Sequence, residues 1–136
     1  MQRPGSVLVV DDQIDIVDLV VDFLRDEGYS VSGVTDGAAA LAAIEAHPPV
    51  LILLDMFMPY MTGSELWQHL QPHDRADIAV VLMTASPNMA EGLLSEGPDD
   101  YLAKPFDLDQ LLACVARYVL PEDAAPTQPP ALPCPV

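Results

Sequence analysis

Three acidic residues that directly follow or end short aliphatic runs are the first candidates for chemistry. Asp11 and Asp12 come directly after the run 6–10, and Asp55 ends the run 50–54. Both runs are dominated by Val, Leu and Ile, which is typical of strands buried on both faces of a parallel sheet. Ligands of open α/β sheets bind at the carboxyl ends of the strands. We therefore interpret these carboxylates as site residues, with Asp55 at the centre.

A hydroxyl and an ammonium group are also found at the carboxyl ends of predicted strands, later in the chain. Thr84 ends the apolar run 78–83, and Lys104 follows a brief strand pattern at 100–103. Clustered carboxylates are hard oxygen ligands that suit Mg²⁺. Lysine acts as a point charge on phosphate, and a threonine hydroxyl can donate a hydrogen bond to phosphate oxygens. Together these groups predict phosphoryl transfer to Asp55 through positioning and electrostatics.

The elements that must position these residues alternate between strand and helix patterns. Five strand patterns, each followed by a helical one, predict an α/β fold of the (βα)5 type. We expect a flavodoxin-like, doubly wound, five-stranded parallel sheet with the strand order 2-1-3-4-5. This order places the carboxyl ends of strands 1, 3, 4 and 5 on one rim, and so brings the candidate residues together.

Local signals define most helix ends. Gly28 predicts the end of the first helix, Asp36 precedes an Ala-rich helix over 38–46, and Thr62 opens a capping-box pattern. The last helix is predicted to begin at Leu108 and to include Val119, because apolar residues recur at helical spacing between them.

Composition restricts the classes of partner. The 136 residues contain five basic and 21 acidic side chains, a formal net charge of −16, which disfavours nucleic acids and anionic membranes. No signal peptide or bilayer-spanning apolar run is present, so we expect a cytoplasmic protein. We interpret 1–120 as one domain and 121–136 as a Pro-rich tail with no output domain. Cys114 is expected to be an unreactive thiol, and Asp99-Asp100 a solvated turn.

Several motifs recur in the order and at the spacing of one known family. They are Val10-Asp11-Asp12, Asp55 with Met58-Pro59 and Gly63, Met83-Thr84-Ala85, and Gly97 through Asp99-Asp100-Tyr101-Leu102 to Lys104-Pro105-Phe106. With this combination the chain resembles the receiver domain of bacterial two-component response regulators.

The resemblance implies a role for each matching residue. Asp55 would accept a phosphoryl group, and Mg²⁺ would be held by Asp11, Asp12, Asp55 and the backbone carbonyl of Phe57. Asp12 would bind the metal directly and Asp11 largely through water. The remaining roles would be phosphate contact by Lys104, a switch pair formed by Thr84 and Tyr101, and a cis peptide bond at Lys104-Pro105.

The resemblance also implies partners, which we expect to be proteins. A sensor histidine kinase or a histidine phosphotransfer protein would supply the phosphoryl group. A downstream protein, or a second copy of the chain as a homodimer, would bind the face formed by the fourth helix, fifth strand and fifth helix. The domain would not be an enzyme beyond slow self-catalysed phosphorylation and dephosphorylation.

Three alternatives to a stand-alone regulator remain open from the sequence. The chain could be the receiver part of a longer regulator or hybrid kinase. It could be a Mg²⁺-dependent phosphatase with an aspartyl-phosphate intermediate, although Phe57 stands where such enzymes carry a second Asp and no cap domain is present. It could also be an interaction module that acts without phosphate, against which the complete set of acids, hydroxyl and lysine argues.

Overall fold

The computed structural model describes residues 3–56, 78–94 and 98–120. Within these ranges the strands are β1 (Arg3–Pro4), β2 (Ser6–Val10), β3 (Ser30–Val34), β4 (Leu51–Asp55), β5 (Ala79–Thr84), β6 (Asp100–Ala103) and β7 (Val119–Leu120). The helices are α1 (Ile14–Asp26), α2 (Gly37–Ala46), α3 (Pro87–Leu94) and α4 (Leu108–Ala116). Three predicted features lie outside the described residues: Phe57, the helix predicted to start after Thr62, and the tail 121–136. No helix in the described ranges is long and apolar enough to cross a membrane.

Five parallel strands form the main sheet in the order β3-β2-β4-β5-β6. Counted along the chain within this sheet, the order is 2-1-3-4-5, which confirms the predicted fold. Side chains alternate between the two faces of each strand, and each face packs on helices. Val7 and Val9 belong to the cluster that contains α1 and α4 residues. Leu8 and Val10 belong to the cluster that contains α2 residues and Ala90 of α3. The sheet is therefore covered on both sides, which explains its nearly continuous aliphatic strands.

Side chains and a glycine define the helix ends. The carboxylate of Asp36 accepts a hydrogen bond of 2.7 Å from the backbone N–H of Ala39 and so caps α2. Asp107 and Gln110 form a reciprocal capping box at the start of α4. Gly28, with φ of 96°, follows α1, and this left-handed backbone confirms its predicted role as a helix stop.

The end of the last helix differs from the prediction. α4 ends at Ala116, and Val119 lies in β7, where it pairs in parallel with Arg3. Val119 is fully buried although it is not helical. Its spacing of four residues from Val115 matches a helix, so the apolar pattern alone could not distinguish the two structures. The short ribbon of β1 and β7 joins the two ends of the domain.

The acidic pair Asp99-Asp100 also differs from its interpretation as a solvated turn. Asp100 is the first residue of β6 and forms an ion pair of 3.0 Å with Arg117. Asp99 is exposed, but its backbone N–H donates to the Val80 carbonyl and its carboxylate accepts from the Val80 N–H, both at 2.8 Å. These bonds attach the chain before β6 to the start of β5.

The thiol of Cys114 is buried among the residues that α4 packs against the sheet. Burial raises its pKa, because the thiolate is poorly solvated there. Little thiolate forms at neutral pH, in agreement with the expected lack of reactivity.

Gly5, between β1 and β2, is expected to contribute to the stability of the domain. Its φ is 147°, and a Cβ added there would lie 2.5 Å from Cγ1 of Val50. Gly5→Ala should therefore lower the free energy of unfolding by about 1–3 kcal/mol, measured by urea denaturation. Gly92→Ala is the matched control, because a Cβ there meets no atom within 4 Å. An unchanged urea midpoint for Gly5→Ala would show that the backbone relaxes without cost.

Candidate functional site

The register of the sheet brings the predicted site residues to one rim. Val10 pairs with Leu54, so Asp11 follows its strand beside Asp55. Asp55 pairs with Met83, the residue before Thr84. Thr84 pairs with Ala103, and the backbone N–H of Lys104 donates to the Thr84 carbonyl at 2.7 Å. The convergence predicted from the strand order is therefore a direct result of the backbone pairing.

The three carboxylates form a compact acidic cluster. Asp11, Asp12 and Asp55 each offer an oxygen, and these oxygens lie within 4.8 Å of one another. Asp11 is completely buried and Asp55 is 6% exposed, whereas Asp12 is exposed. Like charges at this separation repel, and a small divalent cation with oxygen ligands relieves that repulsion. The donor set fits Mg²⁺; Phe57, whose carbonyl was predicted as a further ligand, lies outside the described residues.

Lys104 supplies the positive charge of the cluster. Its Nζ lies 2.7 Å from Oδ2 of Asp11 and 3.6 Å from Oδ1 of Asp55. The other oxygen of Asp11 accepts from the backbone N–H of Gln13 at 2.9 Å. Asp11 is thus held by two partners and in turn orients the ammonium group toward Asp55. The Lys104-Pro105 peptide bond is cis, as the resemblance implied.

Thr84 is buried at the end of β5, and its hydroxyl oxygen accepts a hydrogen bond of 2.8 Å from the backbone N–H of Ser86. This bond fixes the position of the oxygen atom. It uses a lone pair, and the hydroxyl can still donate its proton to an acceptor at the rim.

Tyr101 lies on the edge strand β6, and its hydroxyl forms a hydrogen bond with a residue outside the acidic cluster. Its half-buried ring packs against the apolar cluster beneath α2 and α3, and its hydroxyl donates to Oε1 of Glu91 at 3.0 Å. This bond raises the pKa of Tyr101, because ionisation would place a second negative charge beside the Glu91 carboxylate. Glu91 was not among the predicted site residues. Its contact depends on how α3 packs on β6, and no local sequence signal indicates it.

The family model for the response regulator receiver domain matches residues 7–116. The chain belongs to this family of signalling domains.

Two curated relatives and two solved structures illustrate the similarity. The sensory transduction protein RegX3 of Mycobacterium tuberculosis is 35% identical over 117 residues, which cover 85% of this chain and 50% of RegX3. The DNA-binding regulator RpaA of Synechocystis is 36% identical over 123 residues, covering 88% of this chain and 51% of RpaA. This chain therefore spans about half the length of these relatives.

Among solved structures, the receiver domain of NtrX from Brucella abortus has a TM-score of 0.76 and 30% identity, covering 88% of this chain and 100% of that chain. The chemotaxis response regulator CheY4 of Vibrio cholerae has a TM-score of 0.77 and 31% identity, covering 85% of this chain and 98% of that chain.

Proposed function

We propose that Asp55 is the phosphoacceptor of a two-component signalling pathway, and that a sensor histidine kinase or a histidine phosphotransfer protein is the donor. The observation that carries the proposal is the position of Lys104, whose ammonium group bonds Asp11 and lies 3.6 Å from Asp55. An ammonium group beside a nearly buried carboxylate can neutralise charge as a phosphoryl group arrives.

The reaction follows from these positions. A carboxylate oxygen of Asp55 attacks the phosphorus of a phosphohistidine, a P–O bond forms, and the P–N bond breaks with its electron pair returning to the imidazole. Lys104 stabilises the charge on the transferred oxygens, and Thr84 donates its hydroxyl proton to one of them. Asp11 and Asp12 would hold Mg²⁺, which supplies further positive charge when bound.

The output of the reaction is proposed to be a change in protein binding. Phosphate at Asp55 would attract the Thr84 hydroxyl, and the ring of Tyr101 would move with it. This shifts the population of conformations on the face formed by α3, β6 and α4, which are the fourth helix, fifth strand and fifth helix of the predicted (βα)5 order. A downstream protein or a second copy would bind there. The reaction is proposed to take place in the cytoplasm, where kinases obtain ATP.

The residues proposed for phosphoryl transfer and for the switch all lie in the receiver domain matched over 7–116. RpaA is described as a DNA-binding protein, and this chain spans about half of its length. The net charge of −16 does not favour contact of this unit with a polyanion. A stand-alone mode, in which the phosphorylated domain itself binds a protein target, agrees with this charge.

Intact mass spectrometry after incubation with acetyl phosphate tests the proposal. With Mg²⁺ the protein should gain one phosphoryl group of about 80 Da, and with EDTA it should not. Equal phosphorylation in EDTA would show that the reaction does not need Mg²⁺. Continuous hydrolysis of p-nitrophenyl phosphate would instead indicate the phosphatase alternative.

A further inference from the structure

The contact between Tyr101 and Glu91 joins two elements of the predicted binding face. Tyr101 lies in β6 and Glu91 in α3, and the hydroxyl donates to Oε1 at 3.0 Å. The acceptor is a carboxylate, and hydrogen bonds to ionised acceptors are about twice as strong as bonds between neutral groups. Both groups are accessible to solvent, so the bond is moderate in strength and can be broken and remade.

The electrostatic surroundings favour a tyrosine hydroxyl that keeps its proton and donates a hydrogen bond to Glu91. Glu91 raises the pKa of Tyr101 both through the hydrogen bond and through its charge. Asp100, the residue before Tyr101, acts in the same direction. Both neighbours therefore favour a neutral hydroxyl that donates to Glu91.

The bond exists only while the tyrosine ring has its present position. Thr84 pairs with Ala103 on β6, two residues beyond Tyr101. Under the proposed function the ring follows Thr84 after phosphorylation, and a movement that takes the hydroxyl away from α3 would break its bond to Glu91. An interaction that is present in one conformation and absent in the other shifts the equilibrium between them.

We propose that Glu91 is a positioning residue that holds Tyr101 away from Thr84 and thereby opposes the activated conformation before phosphorylation. The inference rests on the proposed function, because it assigns a regulator to the same switch. Glu91 is not a member of the acidic cluster, and its proposed effect is exerted through the tyrosine hydroxyl. Removal of its carboxylate therefore favours the activated conformation and speeds phosphorylation by small donors.

The test compares rates of phosphorylation by acetyl phosphate with Mg²⁺ for four proteins. Glu91→Ala and Tyr101→Phe should each increase the rate about three- to tenfold, the effect expected for loss of one hydrogen bond. The double variant should be no faster than either single variant, because both remove the same bond. Glu45→Ala is the charge-matched control, since Glu45 is an exposed acid on α2 and should leave the rate unchanged.

A second readout reports on the bond itself. The pKa of Tyr101, followed by NMR of a ¹³C-labelled tyrosine ring, should fall in Glu91→Gln and remain unchanged in Glu45→Ala. Equal rates for wild type and Glu91→Ala, or additive effects in the double variant, would overturn the inference while the proposed function stands. A wild-type protein that takes up no phosphate would overturn the proposed function, and the inference with it.

Discussion

Lys104→Met is expected to slow phosphorylation by acetyl phosphate by about 10²–10³-fold, the cost of removing one electrostatic contact from a transition state. Nζ of Lys104 lies 3.6 Å from Asp55, so the structure places a cation beside the acceptor. Without it, the incoming phosphoryl group meets three carboxylates and no ammonium group. The rate constant is measured by intact mass at saturating Mg²⁺, so that metal occupancy does not limit the comparison.

Lys104→Arg separates charge from geometry. Arginine keeps the positive charge but replaces a point charge with a planar fork, so an intermediate rate is expected. Both variants must first be shown to be folded, because Lys104 is also the 2.7 Å partner of the buried Asp11. A folded Lys104→Met protein that is phosphorylated at the wild-type rate would contradict the assigned role.

Asp12→Asn is expected to weaken Mg²⁺ binding by about 10- to 100-fold, a range observed even for residues behind the direct ligands of metal sites. Both carboxylate oxygens of Asp11 already accept hydrogen bonds, from Gln13 and Lys104. Asp12 is the exposed member of the cluster and is therefore the residue best placed to bind the ion directly. Titration calorimetry with MgCl₂ measures the effect.

Asp15→Asn is the control for this change, because Asp15 is an exposed acid in the first turn of α1 and is not part of the cluster. The two variants lose the same charge, so long-range electrostatics affect them similarly. Exposed substitutions of this kind change stability little, and both proteins should unfold within about 0.5 kcal/mol of wild type. Equal Mg²⁺ affinities for the two variants would contradict a metal site at Asp12.

Much of the fold could be predicted because its signals are local. The strand Leu51–Asp55 is buried at every position, so an unbroken aliphatic run is what its surroundings require. The acid at its end interrupts that run at the rim. Once parallel strands alternate with helices, the backbone register brings Asp55, Thr84 and Lys104 together, and few other arrangements are available.

The features that were predicted incorrectly, or not at all, depend on contacts between distant parts of the chain. Val119 has the spacing of a helical residue, yet it pairs with Arg3 more than a hundred residues earlier. The burial that Val119 requires is met equally by a helix or by this strand. The bond between Tyr101 and Glu91 depends on the packing of α3 on β6, which no local sequence pattern indicates.

Whether Asp55 receives the phosphoryl group is decided by intact mass and peptide mapping after reaction with acetyl phosphate and Mg²⁺. Wild type and Asp26→Asn, which alters an exposed acid at the other end of α1, should each gain one phosphoryl group of about 80 Da on the peptide that contains Asp55. Asp55→Asn should gain none. A phosphoryl group on folded Asp55→Asn, or on another peptide of the wild type, would contradict the role of Asp55 as the phosphoacceptor.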